Sequence, residues 1–547
     1  MSRDSTLKES IHRQLVECQE KGYAKPATRG ELDEADLKRV WYLPLGAVVN
    51  PKKPGKVRLI WDAAATVDGI SLNSLLLKGP DQLTSLPAVL SRFRQFTRSI
   101  EKPTVYFMNV ATFGSSCSPA SAQYVKNKNA GEFAERYPQA SQAIVHNHYV
   151  DDYLDSFQTV EEALRVSQEV KMIHSEGGFL LRNWLSNTVR VIEGMGEINA
   201  SDTKSLALDK GSACERVLGM LWNTTDDVLC YSTQLKDEVQ ALLDDNERPT
   251  KRQMLRCLMS FFDPLGLLSS VLVHGRILLQ DVWRAGTQWD AQVDDNIWER
   301  WIKWIDAVKK INQIRISRCY FRKATLRSYK DLQLHIFVDA SELAYSAVAY
   351  FRIVKTDKTS ECALVAAKAK VAPLKPLSIL RLELQAALLG ARLMQCVIES
   401  HTVAVTKRYL WSDSSTVLAW IRADHRRYKQ YVACRIGEIL TLTDAKEWRW
   451  VPTKSNPADS ATKWGNGPSF EATSYWFRGP EFLHCAEEEW PRPRSMHLTA
   501  AVEEELRPCH SHRAATVSEA IIDYQRFSKW ERLLRTMAYV CRFIENL

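Results

Sequence analysis

Apolar residues in this chain recur in two rhythms, and their alternation outlines its elements. Residues 1–30 are polar and charged and predict a helix with a loose tail. Trp41 to Pro44 and Ala47 to Val49 read as extended chain, and Asn50 to Gly55 as a hairpin turn. Lys56 to Asp62 alternates basic and apolar residues, which predicts a strand with one wet, positive face. Helices are expected over Leu86 to Phe96, Ala120 to Lys126 and Val160 to His174, with strands at Gly177 to Trp184 and Leu218 to Trp222. Helical periodicity returns at Lys251 to Phe262, Val271 to Trp283 and Asp294 to Lys310. Trp298, Trp301 and Trp304 form a stripe on the last of these, at a spacing that suits core packing.

The second half alternates differently. Leu332 to Ala340 is a continuous apolar run, the pattern of a buried strand, and it ends at Asp339. Ala344 to Phe351 reads as a second strand. Ser378 to Glu399 is a helix with Glu383 in its first turns. Tyr409 to Asp413 is another apolar strand ending in an acid, followed by a helix from Ser415 to Ile421. Trp448 to Pro452 is a final strand, and Asn456 to Asp459 opens a closing helix.

Two groups of acids stand out. The first is Asp151-Asp152 within Tyr149 to Asp155, read as a hairpin whose tight turn carries both carboxylates. Alone, an Asp-Asp pair is more often a solvated turn. Flanked by aromatic and β-branched residues, it suits oxygen ligation of Mg²⁺. The second is Asp339, Glu383, Asp413 and Asp459. Any one of them reads equally well as a cap or surface group. In an α/β sheet, however, strand C-termini and helix N-termini converge on one edge, so the four can meet there.

The Tyr-Val-Asp-Asp run resembles the catalytic hairpin of reverse transcriptases, and Tyr149 to Ser156 resembles that of Pao (BEL/Pao) LTR retrotransposons. The likeness extends from about Leu37 to the C-terminus. It implies an α+β and α/β multidomain chain: a truncated reverse transcriptase with fingers, palm and thumb, then a ribonuclease H-like α/β domain and a helical C-terminal segment. By this resemblance, Lys56 and Arg58 meet an incoming triphosphate, residue types that suit phosphate. The run Val110 to Pro119 resembles the next reverse-transcriptase motif, and Gly114, Ser118 and Pro119 let nucleotide and template approach the backbone. The Asp-Glu-Asp-Asp order resembles the catalytic set of ribonuclease H, with two Mg²⁺ (or Mn²⁺) ions per site and an RNA/DNA hybrid as substrate. The resemblance implies primer-template nucleic acid as a further partner, with dNTP only where the polymerase is intact. His425 to Tyr431 is basic and aromatic; Arg426 and Lys429 are candidates to grip the hybrid backbone, though a solvated helix face explains them as well.

The chain departs from the family in one place. No Asp occurs between Asp81 and Asp151, where reverse transcriptases carry their first catalytic carboxylate; Arg94 to Arg98 runs almost directly into Pro103 to Met108. Losing a metal-bridging carboxylate removes the positioning on which phosphoryl transfer depends. The expectation is a polymerase fold unable to polymerise beside a ribonuclease H with its acids in place. A catalytically dead nucleic-acid-binding relic is the alternative. An aspartic peptidase, a label often given to this region of Pao elements, ranks below both, because Asp413-Ser414-Ser415 lacks the required Gly. No His lies close to Asp459 in sequence, which leaves proton transfer at product release unassigned.

Composition changes this picture little. Forty-five per cent hydrophobic and 25% charged residues over 547 positions indicate several globular domains. A net charge of +8 permits a nucleic-acid partner without requiring one. Twelve scattered cysteines without a Cys-x-x-Cys pair, and a charged start without an apolar signal region, point to a reducing intracellular setting. No uninterrupted apolar run is long enough to span a membrane. The expected divisions are a tail (1–30), reverse-transcriptase fingers and palm with a deletion near 95–103 (31–235), thumb and connection helices (236–330), a ribonuclease H-like domain (331–465), a linker (466–515) and the start of an integrase-region helix (516–547). His484, Cys485, Cys509, His510 and His512 match no zinc spacing.

Overall fold

The computed structural model describes residues 5–27, 43, 45–49, 57–67, 70–75, 106–108, 118–196, 214–233, 237–244, 247–321, 329–401, 403–465, 467, 469–471, 474–492, 505–507 and 524–545. What positions the site is a five-stranded sheet. We label its strands β1 (Tyr329–Ala340), β2 (Ala344–Lys355), β3 (Ser360–Val371), β4 (Lys407–Ser412) and β5 (Trp448–Trp450), and its helices α1 (Ile379–Ser400), α2 (Ser415–Arg422) and α3 (Gln430–Leu442). The spatial order is β3-β2-β1-β4-β5. β1, β2 and β3 form an antiparallel meander, whereas β4 joins β1 in parallel and β5 joins β4 in parallel.

Strand parity divides the sheet into two apolar faces. Leu334, Ile336 and Val338 of β1, with Ala347, Ala349 and Phe351 of β2 and Leu410 of β4, pack under the three helices. Gly390 of α1 permits this contact: a Cβ there would lie 2.4 Å from Val338 Cγ1. The intervening residues Phe337, Val348, Tyr350, Tyr409 and Trp411 face the other way. Phe337 and Trp411 stack at 5.9 Å, and His335 lies on Tyr409 at 4.9 Å.

Two other parts of the chain cover this second face. Helices Lys251–Ser260, Ser269–Arg284 and Asp295–Lys309 share one core with it. Trp301 and Trp304 are fully buried there, as the tryptophan stripe predicts, and Trp304 donates its indole N–H to Val271 O. The loop between the first two helices lies against β3: Ala367 N–H donates to Leu265 O, and a Cβ on Gly266 (φ +73°) would fall 1.8 Å from Ala367 O. Only glycine tolerates that approach. Residues 475–490, within the stretch read as a linker, form the second cover. Tyr350 OH donates to Trp476 O, Trp476 Nε1 to Leu267 O, and the buried Arg352 to the carbonyls of Leu483 and Cys485.

Upstream, helices Ser118–Glu132, Pro138–His146 and Val160–Glu176 pack around Ala130, Ile144, Val166, Val170 and Ile173. Hairpin Leu45–Val49/Val57–Trp61 forms where the turn chemistry predicts it. Leu218 and Gly219, read as strand, are instead the turn of a hairpin joining Cys214–Val217 to Met220–Asn223, both with positive φ. Gly177 to Trp184 makes no strand: Asn183 is left-handed (φ +59°), and no neighbour among the described residues supplies a ladder. The closing helix expected at Asn456 shrinks to one 3₁₀ turn, Pro457–Ala461. The expected helix Leu86 to Phe96 lies outside the described residues. Helix Trp530–Glu545 falls within the segment read as helical at the C-terminus. Among the described residues, the cysteines are free thiols and no helix is long and apolar enough to cross a membrane.

Candidate active site

Val338 of β1 lies opposite Ser412 of the parallel strand β4. The next residues, Asp339, still paired with Ser346 of β2, and Asp413, just past the end of β4, therefore reach the same edge of the sheet. Glu383 arrives from the second turn of α1, and Asp459 from the 3₁₀ turn 457–461. That turn is fastened to the β1–β2 corner at three points. Asn456 Nδ2 donates to Val338 O at 2.9 Å, Ser346 Oγ to Ala458 O at 2.9 Å, and Ser341 Oγ to Thr462 O at 3.0 Å. The asparagine also caps the turn through Ala458 N–H.

The four acids share one electrostatic environment. Burial pushes the Asp339 carboxyl up to about 7, with Asp413 and Asp459 adding repulsion. Burial likewise raises Glu383 to about 7, reinforced by Asp413. Asp413 is raised by its own burial and by Asp459. Like charges brought together out of water behave this way unless a cation lies among them. Each carboxylate nevertheless has its own partner. Thr462 donates its hydroxyl to Asp339 Oδ2, Ser414 to Glu383 Oε2 and Thr453 to Asp413 Oδ2, and Lys463 is ion-paired with Asp459 Oδ1. Among the described residues, no three His, Cys, Asp or Glu side chains already converge into a metal cage. The donor set is entirely oxygen and acidic, which suits a hard divalent cation once the side chains turn inward.

Sequence reasoning missed these four partners. Lys463 and Thr462 had a signal, lying four and three residues beyond Asp459 on the same turn. His274 also escaped notice. It comes from helix Ser269–Arg284, packs edge-on to Trp464 at 4.7 Å and approaches the Ser460 backbone, behind the Asp459 turn. Burial holds its pKa down at about 4.

The basic stretch is partly engaged. Arg426 is exposed and paired with Asp424. Lys429 is the N-cap of α3, and its N–H donates to Glu505 O. Glu505 to Arg507 lies along it, with Leu506 bridging Tyr428 and Glu505 ion-paired to Arg381 of α1.

The other acid pair is placed differently. Asp151 and Asp152 are exposed on a two-stranded ribbon, His148–Tyr149 with Asp152–Tyr153. The turn is Val150-Asp151, with Val150 strained at φ +55°, so Asp152 stands in the strand and not in the turn as expected. No further strand joins this ribbon among the described residues. Ser118 and Pro119 open helix Ser118–Glu132, whose Gln123 donates to Val150 O at 3.0 Å. Arg58 stands opposite Val48 in its hairpin. Lys56 and Gly114 lie outside the described residues, as do 82–105 and 109–117 of the interval that lacks an Asp.

A mixed sheet of this strand order, with acids at the ends of β1 and β4 and on the first helix, defines a ribonuclease H-like α/β fold. Residues 250–414 match the family described as "Pao retrotransposon-like RNaseH-like domain". The match includes Asp339, Glu383 and Asp413 and stops before Asp459. No curated protein matches the chain. Among solved structures, the N-terminal RNase H domain of Rv2228c from Mycobacterium tuberculosis is 13% identical, covering 24% of this chain and 91% of that one (TM-score 0.18). RNase H1 of Halobacterium salinarum is 14% identical over 24% and 91% (TM-score 0.16). A foamy viral protease-reverse transcriptase in complex with dsDNA is 14% identical over 82% of each chain (TM-score 0.23).

Proposed function

We propose that the domain built on β1–β5 hydrolyses the RNA strand of RNA/DNA hybrids, and that the reverse-transcriptase part of this retrotransposon-derived chain does not polymerise. The observation that carries the first half is the delivery of Asp339 and Asp413 to one sheet edge by the parallel pairing of β1 with β4, to which Ser414 ties Glu383 and Thr462 ties the turn that carries Asp459. These four would hold Mg²⁺, which supplies an activated water and neutralises charge developing on the phosphate. The chain's own residues then have defined tasks. The β1–β4 edge fixes the spacing of Asp339 and Asp413. Asn456 and Ser346 hold the Asp459 turn in place. The hydroxyls of Thr462, Ser414 and Thr453 orient the carboxylates until they are drawn inward. Arg426, exposed and paired with Asp424, would meet the hybrid backbone, where its charge contributes without reading sequence.

The second half rests on the missing Asp and on the Asp151-Asp152 ribbon, which no further strand joins among the described residues. Two exposed adjacent carboxylates without a third provide no bridge between metal ions.

Both halves are tested on one preparation. Mg²⁺-dependent cleavage of a labelled RNA/DNA hybrid should appear in the wild type and vanish in Asp339→Asn. Primer extension should be absent from both. No cleavage by the wild type would leave the nucleic-acid-binding relic as the reading, and robust extension would overturn the polymerase half.

A further inference from the structure

We propose that Lys463 is the resident counter-cation of Asp459 in the metal-free protein, and that it leaves this carboxylate for substrate phosphate when divalent cations load. The inference rests on the nuclease reading above.

Lys463 forms the ion pair made by the quartet among the described residues, with Asp459. Its N–H also donates to Asp459 O at 2.9 Å, so both residues ride on the turn fastened by Asn456, Ser346 and Ser341. Asp339, Glu383 and Asp413 are met by the neutral hydroxyls of Thr462, Ser414 and Thr453, so among the described residues it is Lys463 that brings a cationic contact to the acids.

The arrangement is built to be released. The Lys463 side chain is half exposed, whereas Asp339 is buried. The next residue, Trp464, is set against His274, which anchors the backbone and leaves only a flexible four-carbon stem to move. A divalent cation carries twice the charge and binds several carboxylates at once, so it outcompetes the ammonium. The displaced ammonium remains at the rim of the site, where a phosphate of the bound strand is its natural partner.

The test compares wild type, Lys463→Met and Lys463→Arg. Mn²⁺ binding is measured by calorimetry without substrate. Hybrid binding is measured by fluorescence anisotropy in Ca²⁺ across a salt series. The methionine variant should bind Mn²⁺ about tenfold more tightly, because a monovalent competitor a few ångströms away is gone. It should hold the Ca²⁺-loaded hybrid several-fold more weakly, with a salt slope shallower by about one charge. The arginine variant should recover the hybrid affinity. Unchanged or weaker Mn²⁺ binding in Lys463→Met, beside a wild type that binds Mn²⁺ and cleaves hybrid, overturns this inference alone. A wild type that neither binds Mn²⁺ nor cleaves overturns the nuclease reading with it.

Discussion

If Asp339 is held at the site for its chemistry, the fold should be more stable without its charge. The perturbation is Asp339→Asn, which keeps the shape and an acceptor for the Thr462 hydroxyl. The folded carboxyl sits at about 7 instead of the usual 3.8. At pH 8.5 it is ionised in both folded and unfolded chains, and the folded state bears the cost. About three pKa units at ~1.4 kcal/mol each give an upper figure of ~4 kcal/mol. Water entry and side-chain relaxation reduce this to about 2 kcal/mol, or roughly 4–8 °C in Tm. The sign follows from proton uptake: between about pH 4 and 7 the folded chain keeps a proton that the unfolded chain releases, so metal-free stability falls as pH rises through that window. The assay is thermal unfolding in EDTA at pH 5, 7 and 8.5. Asn should exceed the wild type modestly at pH 5, by most of the full amount at pH 7 and by the full amount at pH 8.5, level with further rise in pH, while hybrid cleavage is lost. An Asn variant that is equally or less stable at pH 8.5 would refute the reasoning, showing that the carboxylate is already compensated.

Other expectations follow from packing and strain. Gly390→Val should destabilise by about 1–3 kcal/mol, by pushing α1 off Val338, with a matching fall in denaturant midpoint. Trp304→Ala should cost about 3–5 kcal/mol, and since its core is continuous with the sheet, helical and sheet signals should be lost in one transition. Val150→Gly should relieve the left-handed strain (φ +55°) and stabilise by roughly 1 kcal/mol, yet leave primer extension at zero. Recovery of extension in that variant would mean that strain, and not the missing acid, silences the hairpin.

The sequence was most informative where burial is two-sided. Leu332 to Ala340 and Tyr409 to Asp413 announced themselves as apolar runs ending in acids, and they are the two parallel strands that set Asp339 beside Asp413. β3 was missed because its Ala-Lys alternation has low strand propensity; it is held by pairing with β2 and by the Leu265–Gly266 loop. The 475–490 cover was invisible because Pro and Glu suggest a linker, while its anchoring depends on Arg352 and Tyr350 far away in sequence. The Asp151-Asp152 turn shifted by one residue because Val150 takes a conformation that β-branched residues avoid. Some side chains that answer the acids, Thr453 to Asp413 across 40 positions and Ser414 to Glu383 across 31, follow no local pattern.

The double cover of the sheet has a consequence for inheritance. An ordinary two-layer nuclease domain can be copied, fused or trimmed at its own ends and still fold. Here Phe337, Tyr350 and Trp411 are kept from water by helices that precede the sheet and by a segment that follows it. A deletion on either side would strip an aromatic surface bare. The sheet and its flanks must then be lost or retained together, so a deletion entering from the N-terminal side meets a firm boundary near residue 250.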